Sequence, residues 1–119
     1  MQARIGYLIV HVRDFERAVA FYSDILGLRP EFTDPGFNYA RFDVAGMSFA
    51  VARDPAATGP VEDRQTGIGM VVPDVDAASA ELKAKGVRFT LEPGRQPWGG
   101  YMAMFADPDG NVFYLDQTA

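Results

Sequence analysis

The chain of 119 residues contains no cysteine, and this absence excludes disulfide bonds and thiolate metal sites. Basic residues are outnumbered by acidic ones, 11 to 16, and the resulting net charge of −5 argues against a nucleic-acid-binding surface. No apolar run comes near the ~20 residues of a membrane helix. Met1–Arg4 lacks the apolar segment of a secretory signal. We therefore expect a cytoplasmic protein with neither nucleic-acid nor membrane partners.

An internal repeat is the most informative feature that the sequence does contain. The tripeptide Val12–Asp14 returns as Val72–Asp74, an offset of 74 − 14 = 60 residues. The turn-like segment Asp43–Gly46 returns as Asp107–Gly110, an offset of 110 − 46 = 64 residues. A repeat of this length predicts two copies of one supersecondary unit, neither of which buries its apolar face alone. A cleft between the copies is then the natural place for a ligand.

Hydrophobic periodicity and turn residues predict the same element order in both halves. In the first half, a strand over 4–12 precedes a helix that begins after Asp14 and closes at Gly27, and strands follow around 28–33, 36–44 and 47–52. A polar connection over 53–65 leads to a strand at 66–72, a helix over 74–85, and strands near 87–92, 101–106 and 111–116, with a loop at 92–100. The predicted class is α+β, with two tandem βαβββ modules at about 4–53 and 66–117.

Strand alternation predicts which side chains line the cleft. If Leu8, Val10 and Val12 pack against the helix, their alternates face the ligand side. The predicted ligand side comprises Tyr7, Ile9, His11, Ser48, Ala50, Ala52, Gly67, Gly69, Val71, Val112, Tyr114 and Asp116. The two tyrosines either hold a flat ligand between aromatic faces or fill the space themselves. Arg41 and Asp43 alternate along a strand and either anchor a ligand or face solvent.

Six short motifs follow one another along the chain: Val12–Ala18, Phe21-Tyr22, Leu26–Leu28, Val72–Asp76, Pro97–Gly99 and Asp107–Asn111. In this order they resemble the motifs of the vicinal oxygen chelate superfamily, which includes glyoxalase I, extradiol dioxygenases, fosfomycin-resistance enzymes and bleomycin-resistance proteins. This resemblance covers nearly the whole chain. It implies two βαβββ modules whose mixed sheet curls around a shared cavity, usually within a homodimer.

The resemblance also implies four positions for metal ligands. In each module, one position lies seven residues before the aspartate of the Val-x-Asp motif, and the other lies four residues after the turn glycine. Here the four positions hold Tyr7, Gly67, Ala50 and Tyr114. A phenol is a poor ligand at neutral pH, since its pKa is about 10, and the other two side chains offer no donor. We therefore expect no metal site and no cofactor, because the single histidine, His11, needs carboxylates from elsewhere to bind an ion.

The favoured hypothesis is a metal-independent, homodimeric protein of the bleomycin-resistance type that sequesters a small planar or aromatic compound. The predicted ligand-binding residues are Tyr7, His11, Ala50, Gly67, Trp98, Tyr101 and Tyr114. Trp98 lies in a turn-rich loop, where a ligand contact and a structural role are both open. The alternative is a lyase, isomerase or dioxygenase with a displaced metal site or metal-free acid/base chemistry, for which His11 is the candidate catalytic residue beside the tyrosines. A regulatory module that retains only the scaffold is a third possibility.

Overall fold

The computed structural model describes residues 1–118, and the chain divides into two compact units. The first unit, Met1–Pro60, contains β1 (Leu8–Val12), α1 (Phe15–Ala20), a π-helical segment (Phe21–Ile25), β2 (Arg29–Asp34), β3 (Tyr39–Val44) and β4 (Met47–Arg53). Its four strands are ordered β1-β4-β3-β2. The β1–β4 pair is parallel and the other two pairs are antiparallel.

The helical part of the first unit begins after Asp14 and ends before Gly27, as the sequence predicts, but it is α-helical only to Ala20 and continues as the π-helical segment to Ile25. The Asp14 carboxylate accepts a hydrogen bond from the backbone N–H of Arg17 at 3.1 Å, so it caps the first turn. Gly27 closes the helix with φ +71°, a conformation that glycine adopts without steric cost. On the buried side, the Tyr22 ring lies 6.1 Å from that of Phe42 and 5.1 Å from that of Phe49. This aromatic cluster forms the core between helix and sheet.

The second unit, Val61–Ala119, repeats the plan. It contains β5 (Arg64–Val72), α2 (Val75–Ala84), β6 (Arg88–Arg95), β7 (Tyr101–Ala106) and β8 (Asn111–Gln117), in the sheet order β5-β8-β7-β6. Asp74 caps α2 by accepting from the backbone N–H of Ala77 at 3.0 Å. The predicted α+β class and the two βαβββ modules are confirmed. The boundary between the units falls within the connection predicted over 53–65.

The element boundaries differ from the predicted ones where pairing between strands decides them. β1 begins at Leu8 and not near residue 4, because its first partner on β4 is Phe49. Residues 36–38 form a turn, so β3 begins at Tyr39. β6 continues to Arg95 through the first part of the predicted loop, because it pairs with β7 down to Tyr101.

The strands form two separate four-stranded sheets, and neither sheet closes on itself. A shared cavity and a homodimer remain predictions. Within residues 1–118, no helix has both the length and the apolar character that crossing a membrane requires.

Candidate functional site

One face of the first unit's sheet is turned away from its helix, and the predicted alternation along β1 is confirmed there. Val10 and Val12 are buried, whereas Ile9 and His11 are exposed. We call this surface the open face. Strand register and side-chain contacts assign to it Tyr7, Ile9, His11, Glu31, Phe32, Tyr39, Arg41, Ser48, Ala50 and Ala52.

Arg41 lies at the centre of the open face. The register places Ile9, Ala50 and Arg41 side by side across β1, β4 and β3. Because Ala50 carries only a methyl group, the longer Arg41 side chain extends across β4, and its Cζ lies 4.6 Å from the centroid of the Tyr7 ring. On its other side, Arg41 Nε donates a hydrogen bond of 2.7 Å to the Tyr39 hydroxyl. The guanidinium is therefore held between two tyrosines, one by a cation–π contact and one by a hydrogen bond.

The surroundings of Arg41 favour its charged form. The hydrogen bond to Tyr39 raises the pKa of the guanidinium, burial opposes the rise, and the charge of Glu31 adds to it. Within residues 1–118, no carboxylate lies within ion-pair distance of Arg41, and its two Nη nitrogens donate to no side chain or carbonyl. The open face thus presents a fixed positive charge whose outer donors are available.

A β-bulge in β2 adds a polar and an aromatic group to this surface. The pairing of β2 with β3 shifts between Pro30 and Phe32, which leaves Glu31 as the extra residue. The Glu31 carboxylate accepts a hydrogen bond of 2.9 Å from the Ser48 hydroxyl. The Phe32 ring lies 5.9 Å from the Tyr39 ring and is 49% exposed, as is Tyr7. The open face therefore combines exposed rings, one cation and one carboxylate.

The corresponding face of the second unit is built differently. Gly67 has φ +73° and lies where the pairing of β5 with β8 is interrupted between Gln65 and Gly69. The neighbouring Thr66 hydroxyl bridges this interruption, since it accepts from the Ile68 N–H at 3.1 Å and donates to the Val112 carbonyl at 2.8 Å. Any other residue at position 67 would therefore be strained by the backbone conformation, even though space is available for its Cβ.

Tyr114 lies beside these glycines on the same face of the second unit. It pairs with Gly69 on β5 and with Met104 on β7, and its ring is half-buried. A Cβ on Gly69 would lie 3.8 Å from the Tyr114 Cβ and 3.3 Å from a carboxylate oxygen of Asp116. Glycine at this position therefore leaves room for the side chains of Tyr114 and Asp116 on β8.

The residues at the four positions where the resemblance implies metal ligands do not fit a divalent ion. Tyr7 faces the guanidinium of Arg41 at 4.6 Å, and this charge repels a second cation. Ala50 is a buried methyl and Gly67 has no side chain, so only the phenol of Tyr114 remains. Within the described part of the chain, no three histidine, aspartate or glutamate side chains cluster in a way that would hold an ion.

The other two predicted ligand-binding residues, Trp98 and Tyr101, belong to the second unit. Trp98, 72% exposed, forms the tip of the β6–β7 hairpin and folds back over Gly100, where a Cβ would lie 2.8 Å from its indole nitrogen. Tyr101 lies on the face of β7 opposite Tyr114, because it is three positions, an odd number, from Met104, which pairs with Tyr114. Its hydroxyl donates 2.6 Å to Asp76 of α2, so the structure does not bring Tyr101 and Tyr114 together.

The sequence prediction did not include the residues that complete the open face. From the sequence alone, Arg41 either anchors a ligand or faces solvent, and the predicted ligand-binding residues include neither Tyr39 nor Phe32. The available signal was the alternation of Tyr39, Arg41 and Asp43 on β3 with the small residues Ser48, Ala50 and Ala52 on β4. Small residues on a central strand allow side chains of its two neighbours to meet above it, but this inference requires the strand order.

Comparisons with known proteins agree with the fold. The chain matches the family model of the Glyoxalase/Bleomycin resistance protein/Dioxygenase superfamily over residues 4–115, and it belongs to that superfamily. It is similar to YraH of Bacillus subtilis (strain 168), with 31% identity over 115 residues that cover 87% of this chain and 90% of that protein. A solved structure of a superfamily member from Sphaerobacter thermophilus is 30% identical, with a TM-score of 0.82 and 98% of each chain covered. A lactoylglutathione lyase from Agrobacterium tumefaciens, 21% identical with a TM-score of 0.76 over 98% of this chain and 95% of that one, shares the fold.

Proposed function

We propose that this protein binds a small planar or aromatic compound without a metal ion, in the manner of the bleomycin-resistance members of its superfamily. The observation that carries the proposal is the contact between Arg41 and Tyr7. Where the resemblance implies the first metal ligand, this chain presents an aromatic ring with an organic cation above it. The resemblance also implies a homodimer, which we retain as part of the proposal and which sedimentation equilibrium tests.

The exposed rings of the open face supply the apolar part of the binding energy. Tyr7 and Phe32 are each 49% exposed, although side chains of this type usually bury most of their area. A flat ligand that covers both exposed halves removes on the order of 200 Å² from water, equivalent to about 5 kcal/mol. This contribution alone corresponds to a sub-millimolar dissociation constant before the costs of association. Tighter binding requires polar contacts in addition.

The test uses two phenylalanines of the same hairpin. Phe32 belongs to the open face, whereas Phe37 lies in the turn between β2 and β3 and is 83% exposed. The full chain, with labelled aromatic side chains, is titrated with the neutral probe 2-naphthamide and followed by NMR. We expect the signals of Tyr7 and Phe32 to shift with one common dissociation constant. Phe32→Leu is expected to weaken binding, and Phe37→Leu is expected to leave it unchanged.

Two results would contradict the proposal. The first is the absence of saturable binding of 2-naphthamide and of bleomycin at millimolar concentration. The second is an equal loss of affinity in Phe32→Leu and Phe37→Leu, because non-specific contact with any exposed ring would explain it.

A further inference from the structure

We infer that the ligand of the open face carries a carboxylate, which Arg41 binds through its two Nη nitrogens. This inference rests on the proposed function and adds the charge of the ligand to it. It follows from the geometry of the guanidinium, from the way that its position is held, and from the arrangement of the nearest carboxylate.

The donors of Arg41 are used on one side only. A guanidinium has five N–H donors in a planar fork. One of them, on Nε, donates to the Tyr39 hydroxyl at 2.7 Å. The four on Nη1 and Nη2 have no acceptor within residues 1–118. Two parallel N–H groups match the two oxygens of a carboxylate, and such charge-assisted pairs are about twice as strong as neutral hydrogen bonds.

The position of the fork is fixed before a ligand arrives. The hydrogen bond to Tyr39 restrains the guanidinium on one side, and the Tyr7 ring, 4.6 Å from Cζ, restrains it on the other. An unrestrained arginine loses about 2 kcal/mol of side-chain entropy when it is immobilised. Because Arg41 is already restrained, a carboxylate ligand pays less of this cost. A ring attached to that carboxylate is then held on the face that also carries the exposed Tyr7 and Phe32.

Glu31 is the nearest competitor for the fork, and it is engaged elsewhere. Its carboxylate influences the pKa of Arg41 but forms no ion pair with it, and it accepts a hydrogen bond from Ser48 at 2.9 Å. The positive fork therefore has no direct carboxylate partner among the described residues. If Glu31 dominated recognition instead, a cationic ligand would bind best, and this alternative is open to direct measurement.

The experiment compares three probes with one ring system and different charge: 2-naphthoate, 2-naphthamide and 2-naphthylmethylammonium. Dissociation constants are measured by NMR on the labelled full chain. We expect 2-naphthoate to bind at least tenfold more tightly than 2-naphthamide, and the ammonium probe to bind most weakly. Arg41→Gln is expected to reduce the difference between naphthoate and naphthamide to about twofold or less, without abolishing naphthamide binding.

Two further variants separate charge from geometry and from loss of folding. Arg41→Lys keeps the charge but removes the planar fork, so an intermediate preference for naphthoate is expected. Arg17→Gln removes an exposed arginine from α1, on the other side of the sheet, and is expected to leave all three dissociation constants unchanged. The amide spectrum of each variant shows whether its fold is intact.

The outcomes distinguish this inference from the proposed function. Equal affinity for naphthoate and naphthamide, or tightest binding of the ammonium probe, overturns the carboxylate inference and leaves metal-free binding of planar compounds standing. An unchanged naphthoate preference in Arg41→Gln also overturns it. If none of the three probes binds and bleomycin does not bind either, the proposed function itself fails.

Discussion

The turn before β8 is the place where a single added methyl group is expected to cost most stability. Gly110 has φ +83°, and a Cβ built on it would lie 2.4 Å from the carbonyl oxygen and 3.0 Å from the carbonyl carbon of Glu62. Both contacts are with backbone atoms, so rotation of a side chain cannot relieve them. The Gly110 carbonyl also accepts a hydrogen bond of 2.7 Å from the Arg64 N–H, which holds this segment of chain close to the turn.

The magnitude follows from two separate costs. A side chain in the left-handed conformation costs about 1–2 kcal/mol. Overpacking against a backbone that must move costs a further ~1–3 kcal/mol. Gly110→Ala is therefore expected to lower the free energy of unfolding by about 2–5 kcal/mol. Gly86 provides the matched control, because it has φ +87° in the same unit but no atom within 4 Å of its added Cβ. Gly86→Ala is expected to cost the conformational part alone, about 1–2 kcal/mol.

Urea unfolding followed by circular dichroism measures both variants. Because both substitutions lie in the second unit, any independent unfolding of the two units affects the two measurements alike. The m-value is expected to remain that of the parent protein, so that the midpoint shift reports stability. Equal destabilisation by Gly110→Ala and Gly86→Ala would refute the close approach of the turn to Glu62.

Three further predictions concern single side chains. Ser79→Ala is expected to raise the free energy of unfolding by about 1 kcal/mol in urea titrations, because the buried Ser79 hydroxyl has no hydrogen-bond partner within residues 1–118; a loss of stability would show that the hydroxyl is satisfied. Arg88 donates two hydrogen bonds to the Asp63 carboxylate and thereby lowers the pKa of Asp63 below 3.8. The pair therefore stabilises the fold at pH values above the pKa that Asp63 has in the unfolded chain. This stabilisation is lost as the pH falls through the pKa of Asp63 in the folded protein. Arg88→Gln is expected to return that pKa towards 3.8 in an NMR titration. The hydrogen bond to Asp76 raises the pKa of Tyr101 above 10.0. This hydrogen bond therefore stabilises the fold below pH 10, and the stabilisation is lost as the pH rises through the pKa of Tyr101 in the folded protein. Asp76→Ala is expected to lower the Tyr101 pKa in an ultraviolet titration, and an unchanged value would contradict the contact.

Local signals in the sequence were sufficient for the helices and for the order of elements. Asp14 and Asp74 cap their helices because a carboxylate needs only the backbone N–H groups of the next turn. Gly27 and Gly86 adopt positive φ after the helices for an equally local reason. The repeat then extends the assignment from one half of the chain to the other. None of these inferences depends on a contact between distant residues.

The start of β1, the length of β6 and the centre of the open face depend on such contacts. Alternation predicted that Tyr7 and Ala50 share a face, but it did not predict that β4 separates β1 from β3. Only this order places Arg41 across Ala50 from Tyr7. Tyr101 is the first residue of the strand that the sequence predicts at 101–106, but only the pairing of β7 with β8 shows that it lies on the face opposite Tyr114.

The two units share a backbone plan but exchange large and small side chains at equivalent positions. Tyr7 corresponds to Gly67, an offset of 60 residues, and Ala50 corresponds to Tyr114, an offset of 64. In the first unit, the methyl of Ala50 leaves space that Arg41 crosses to reach Tyr7. In the second, the Tyr114 ring stands on β8 beside glycines, one of which has a backbone conformation that disfavours any side chain. The repeat therefore predicts the fold of both units. It does not predict the charged, aromatic centre of the first unit, because that centre requires a small residue at position 50 and a ring at position 7, and the second unit has the opposite arrangement.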